Sequence, residues 1–179
     1  MKLKMILVLI AALIVGFIAI GLISSSKLKT IDISKSVTIN VDKQEAFEMV
    51  KHLERFPEWS PFLEADPSQK TAVKGTDGTV GAQYHWEGNK GKDLGYQEIV
   101  RIEEDNFIGM ACTIEKPFKA NPTFDYTFEN TSNGTKVTQD FHLESGSVDA
   151  FFMWLFGAKK EMDKTNARGM ELLKQALEK

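Results

Sequence analysis

A chain of 179 residues, 42% of them hydrophobic, has room for one domain of ordinary size. Its formal charge of −3 and the lack of any Lys/Arg stripe argue against nucleic acid as a partner, because phosphate binding needs clustered cations. The single cysteine, Cys112, permits no internal disulfide; between Met110 and Ile114 it reads as an inert buried thiol.

Met5–Ile23, "MILVLIAALIVGFIAIGLI", contains no charged residue. As a helix it spans about 28 Å, close to the hydrocarbon thickness of a bilayer. It has no polar face, so a buried core helix is a poor reading. It also exceeds the roughly 7–15 apolar residues of a signal peptide, although Ser24–Ser26 supply small residues of the kind cleavage uses. The reading taken is an uncleaved single-pass anchor that places the protein in a membrane. Lys2 and Lys4 precede the span, and Lys27 and Lys29 follow it, so the positive-inside rule separates the two orientations only slightly. The N-terminus is assigned to the cytoplasm and the domain to its outside. Four of the 22 basic residues lie beside this span, so the remainder is more acidic than the whole. That argues against the domain lying flat on anionic lipid.

Residues 1–29 are thus an anchor and tether, and residues 30–179 a separate domain. Ile31, Ile33, Val37, Ile39 and Val41 alternate as in a strand. Asp42 precedes Glu45 by three residues, a helix-start signature, and Ala46, Phe47, Val50 and Leu53 continue as an apolar stripe. "RFPEWSPF" (Arg55–Phe62) then sets Trp59 between two prolines, with Phe56 and Phe62 nearby; a short helical turn fits Glu58–Leu63. "KGTDGTVG" reads as a turn and not a phosphate loop, because a strand follows it. From there to Glu144 the chain alternates strands and turns, ending in "TFDYTFEN", the turn "TSNGT" and "KVTQDFHLE". Ser147 to the C-terminus reads as one long helical region that Gly157 bends or interrupts. Consecutive strands with short turns form an antiparallel meander, whose apolar face needs a cover. The C-terminal helix is the long element available, and an incomplete closure between the two leaves a cavity.

Several motifs stand in order along residues 33–179: "V.IN......F..V.....FPEWSPF", "G..YHWEGN", "EKPF" and "NGTKVT". In that order and spacing the chain resembles the START/Bet v1-like (SRPBCC) superfamily, in particular its polyketide cyclase/dehydrase and lipid-transport branch. The resemblance implies an α+β helix-grip fold, a curved antiparallel sheet of about seven strands around a long C-terminal helix. It also implies that a lipid-like or polyketide-like hydrophobic small molecule sits between sheet and helix. Many relatives carry an aromatic near the position of Gln139.

On that reading Trp59, Phe62, Tyr84, Trp86, Phe124, Tyr126 and Phe128, with Phe56 beside them, line a pocket, and Met110, Phe151, Met170 and Leu173 lie opposite. Trp59 is expected at the mouth. The competing reading of each residue is core filling. "HWE" (His85, Glu87) and "HLE" (His142, Glu144) each put a histidine and a carboxylate on one strand face, but their apolar neighbours send both outward, so no metal site is expected. No cofactor is expected, and no G-x-S-x-G is present. Glu98 or Asp125 would serve acid–base chemistry if either pointed inward. A carrier for a hydrophobic molecule leads. A cyclase- or dehydratase-type enzyme follows, favoured by an inward polar dyad. A tethered protein-interaction module with a filled core comes third.

Overall fold

The computed structural model describes residues 2–179. Helix α1 (Lys2–Ser25) is long and apolar enough to cross a membrane, and most of its side chains lie exposed. The stretch read as a tether is not slack. A 3-10 turn (Ser26–Leu28) continues α1 straight into strand β1 (Thr30–Ile39). Ser145, distant in sequence but next to β1 in the sheet, holds the turn: its Oγ donates to the Leu28 carbonyl at 2.9 Å and its N–H to that of Lys29 at 2.8 Å.

The other strands are β2 (Lys70–Lys74), β3 (Gln83–Gly88), β4 (Asp93–Glu103), β5 (Phe107–Lys116), β6 (Thr123–Thr131) and β7 (Gly134–Glu144). They form one antiparallel sheet in the order β1-β7-β6-β5-β4-β3-β2. The alternation in the sequence sets its faces: Phe124, Tyr126 and Phe128 of β6 and Val137, Gln139, Phe141 and Leu143 of β7 are all buried. His85 stacks on Tyr96 and His142 pairs with Asp32 at 2.7 Å, with three strands between the two histidines.

Helix α2 (Lys43–Lys51) starts where the capping signature places it, the Glu45 N–H donating to Asp42 Oδ1 at 2.8 Å. The aromatic segment after it is more helical than its prolines suggest. A 3-10 turn (Leu53–Glu58) contains Pro57, and helix α3 (Pro61–Ala65) begins at Pro61, where the missing N–H is no loss. Ser60 caps α3 by accepting from the Leu63 N–H at 3.2 Å. The glycine-rich loop fixes this corner, because Asp77 accepts from the Leu53 N–H at 2.7 Å and bonds the His52 ring at 2.9 Å. Arg168 binds both oxygens of Glu64, at 2.9 and 2.7 Å, and so clamps α3 onto the C-terminal helix.

The C-terminal region is interrupted at Gly157, where the sequence places a bend or break. Gly157, at φ 66°, ends helix α4 (Ser147–Phe156) in the left-handed conformation that glycine adopts without strain. Helix α5 (Ala158–Leu177) then covers the sheet beside β1, burying Asn166, Met170, Leu173 and Leu177. α4 turns away from the sheet and packs on α1, with Phe17 and Trp154 ring centroids 5.7 Å apart. A Cβ on Gly21 would overlap the Phe151 ring. Gly21→Ile is therefore expected to undock α4. Hydrogen exchange would report faster amide exchange over residues 147–156 and unchanged protection in the sheet.

Candidate functional site: an open apolar cavity

Between the sheet, α3 and the start of α5 lies a cavity of about 720 Å³, within the range of roughly 300–1,000 Å³ typical of small-molecule sites. Its walls come from one end of the sheet. Trp86 is near the end of β3, Asp93 begins β4, Ile114 is near the end of β5, Phe124 is near the start of β6, and Phe141 and Leu143 are near the end of β7. The Pro117–Pro122 connection adds Phe118, and α5 adds Ala158, Glu161, Met162, Thr165 and Asn166. Phe62 and Phe118, 47% and 59% exposed, stand at the opening. The wall is fixed in part by Gly95, where a Cβ would strike the Trp86 ring, and by Asp93 Oδ1, which accepts from Trp86 Nε1 at 3.0 Å.

A much smaller crevice beside the cavity is different in character. Lined by Trp59, Gln97, Tyr126, Gln139, Thr165 and Asn166, it shares Phe56, Phe62, Gln97, Phe124, Thr165 and Asn166 with the cavity. Gln139 Nε2 donates to the Tyr126 hydroxyl at 2.7 Å, and Gln97 Nε2 is turned to the Met110 sulfur. Trp59 Nε1, Gln139 Oε1 and Asn166 Nδ2 are buried with no partner among the described residues. A buried polar group left unpaired costs about 1–3 kcal/mol, so this cluster has unused hydrogen-bonding capacity. It is also neutral: burial holds the Tyr126 hydroxyl well above the ordinary phenol range.

Of the residues expected to line a pocket, Phe62, Tyr84, Trp86 and Phe124 form the wall. Trp59 and Tyr126 border the inner crevice. Trp59 is not at the mouth. It is 2% exposed and packs edge-on to Phe56 and Tyr126, because the 3-10 turn before it and α3 after it point the indole inward. Met110, Phe128, Met170 and Leu173 fill core outside the cavity wall, and Phe151 faces α1. Sequence reasoning missed Gln97 and Asn166 as inward polar groups. The signal lay in the register, since a Gln falls among apolar inward positions of β4 just as Gln139 does in β7.

Neither Glu98 nor Asp125 reaches the cavity. Glu98 accepts from Gln83 Nε2 at 2.7 Å, and Asp125, raised by burial and by Asp140, lies on the other face of β6. Cys112 does line the wall, and burial, with Asp93 nearby, pushes its thiol up to about 12. Because the thiolate is the reactive form, alkylation by iodoacetamide at pH 8 is expected to run about a thousandfold slower than for a free cysteine. Mass spectrometry of the labelled protein over time would measure it.

A family model described as polyketide cyclase / dehydrase and lipid transport matches residues 30–178. The chain belongs to this family. No curated protein sequence matches it. Solved structures share the fold at low identity. Protein CV1439 from Chromobacterium violaceum superposes with a TM-score of 0.62 at 9% identity, over 83% of this chain and 97% of that one. The di-domain ARO/CYC StfQ from the steffimycin biosynthetic pathway gives 0.61 at 10% identity, over 83% of this chain and 51% of that one. The Aha1 dimer from Colwellia psychrerythraea gives 0.57 at 14% identity, over 83% and 96%. At such identities the likeness establishes the seven-stranded helix-grip fold and nothing about ligands.

Proposed function

We propose that this family member is a membrane-anchored binding protein for a hydrophobic small molecule that carries one neutral hydrogen-bonding group. Residues 1–29 serve as anchor and connection, residues 30–179 as the binding domain, with the N-terminus in the cytoplasm and the domain outside. One observation carries the reading: an open cavity of about 720 Å³ has mostly apolar walls, and a small crevice beside it holds neutral buried polar groups without partners among the described residues. The apolar body of a guest would lie against Tyr84, Trp86, Phe124 and Leu143. Its hydroxyl, carbonyl or amide would meet Asn166, Gln139 and the Trp59 indole N–H. A filled core, as a pure protein-interaction module would have, fits this volume poorly. Native mass spectrometry of the full chain purified from its own host tests the proposal. The expected result is a bound amphiphile at one per chain. The reading fails if no adduct appears and no fatty acid, sterol or polyketide-like aromatic binds saturably.

A second reading, cyclase- or dehydratase-type catalysis, is favoured by Asp93, a carboxylate on the cavity wall beside the Trp86 indole. In that case Asp93→Asn would abolish turnover of a bound substrate while leaving its affinity within a few-fold. A carrier would show no turnover in either form.

A further inference from the structure

Helix α4 carries an apolar face that no described residue covers. Val148, Phe152, Leu155 and Phe156 are 67%, 50%, 43% and 74% exposed, while its other side packs on α1 through Phe151 and Trp154. The level of that packing is informative. Trp154 meets Phe17, which lies six residues before the end of the uncharged run at Ile23, or about 9 Å along a helix axis. If α1 spans a bilayer, the helix docked at that level is inside the same leaflet. The exposed Lys27 and Lys29 follow α1, so cations stand at the polar edge of the apolar surface, where lysines reach lipid headgroups.

The sheet relates this helix to the cavity. α1 feeds the start of β1, and Ile31 pairs with Leu143 at the end of β7. Because the sheet is antiparallel throughout, the ends of β3, β5 and β7 and the starts of β4 and β6 all lie at that same edge, and these are the segments that line the cavity. Ala158, the first residue after the α4–α5 break, is itself part of the wall.

We propose that α4 is a wedge sunk beside α1 in one leaflet, and that the cavity opens onto this leaflet and takes its guest from the bilayer and not from water. This rests on the binding role proposed above and adds the source of the ligand. The acidic remainder of the domain is compatible with it, since the surface presented to lipid is the apolar face of α4 beside Lys27 and Lys29.

The test uses the full chain with Cys112→Ser, reconstituted in phosphatidylcholine/phosphatidylglycerol vesicles and checked for native circular dichroism. Nitroxide labels are placed singly at Phe152→Cys, Phe156→Cys, Phe118→Cys and Ser132→Cys, the last at the far tip of the β6–β7 hairpin. Val148→Cys serves as a further α4 position if one of the phenylalanine variants misfolds. Power saturation is expected to show strong relaxation by oxygen and loss of relaxation by a water-soluble nickel chelate at 152 and 156. Position 118 should fall between these and the fully nickel-accessible 132. Nickel access at 152 and 156 equal to that at 132 overturns the wedge, and equal access at 118 and 132 overturns the leaflet-facing mouth. These depths do not depend on occupancy, so a cavity that binds nothing strikes the carrier role alone.

Discussion

Replacing Trp59 with alanine is expected to destabilise the domain by roughly 3–5 kcal/mol, the usual range for deleting a fully buried large aromatic. The indole is 2% exposed, wedged edge-on against Phe56 and Tyr126, and sits at the corner that Asp77, Ser60 and the Glu64–Arg168 pair hold together. Single domains have only about 5–15 kcal/mol in total, so the loss is a large share of it. Urea denaturation followed by circular dichroism would read it as a lower midpoint at an unchanged slope. A residue at a cavity mouth behaves in the opposite way, with little change in midpoint and a loss of ligand affinity. The experiment therefore separates a plug from a rim. A stability change under about 1 kcal/mol would contradict the buried placement of this side chain.

Thr165→Trp is expected to do the converse. Thr165 lies on α5 where the large cavity meets the inner crevice, and it borders both. An indole there occupies the passage that a guest must enter to reach Gln139 and Asn166. Keeping about 100 Å² of a ligand's apolar surface in water costs it about 2.5 kcal/mol, which approaches a hundredfold in affinity. The fold has space for the new ring, so stability should change by less than the 1–3 kcal/mol of an overpacked core. Titration with a fluorescent fatty acid, beside the urea midpoint of the same variant, measures both quantities. Unchanged affinity would mean that the guest lies wholly in the outer part of the cavity and that the polar end has no part in binding.

The local elements were legible because their causes are local. Alternation in "TFDYTFEN" and "KVTQDFHLE" dictates which side chains of β6 and β7 face the core, and Asp42 announces α2 through a hydrogen bond made three residues away. The uncharged run of α1 is likewise visible by composition alone. What lay beyond reach depended on what each element then meets. The break at Gly157 was legible, but not that it takes Phe151 from the expected cavity wall to the face of α1. No pattern of apolar spacing distinguishes those outcomes, because an apolar helix face looks the same whether a sheet, another helix or lipid covers it. The inward Gln97, Gln139 and Asn166 stood in register with apolar neighbours, yet only their meeting across sheet and helix makes them one polar end. Trp59 was readable as buried or rimming, and the corner around it decided, since the local Ser60 cap and the long-range Asp77 and Glu64–Arg168 bonds together turn the indole inward. Hydrophobic pattern and turn chemistry thus determine the strands, helices and faces of this protein. The cavity, its opening and its polar end exist only through contacts between elements distant in sequence, whose geometry no local propensity encodes.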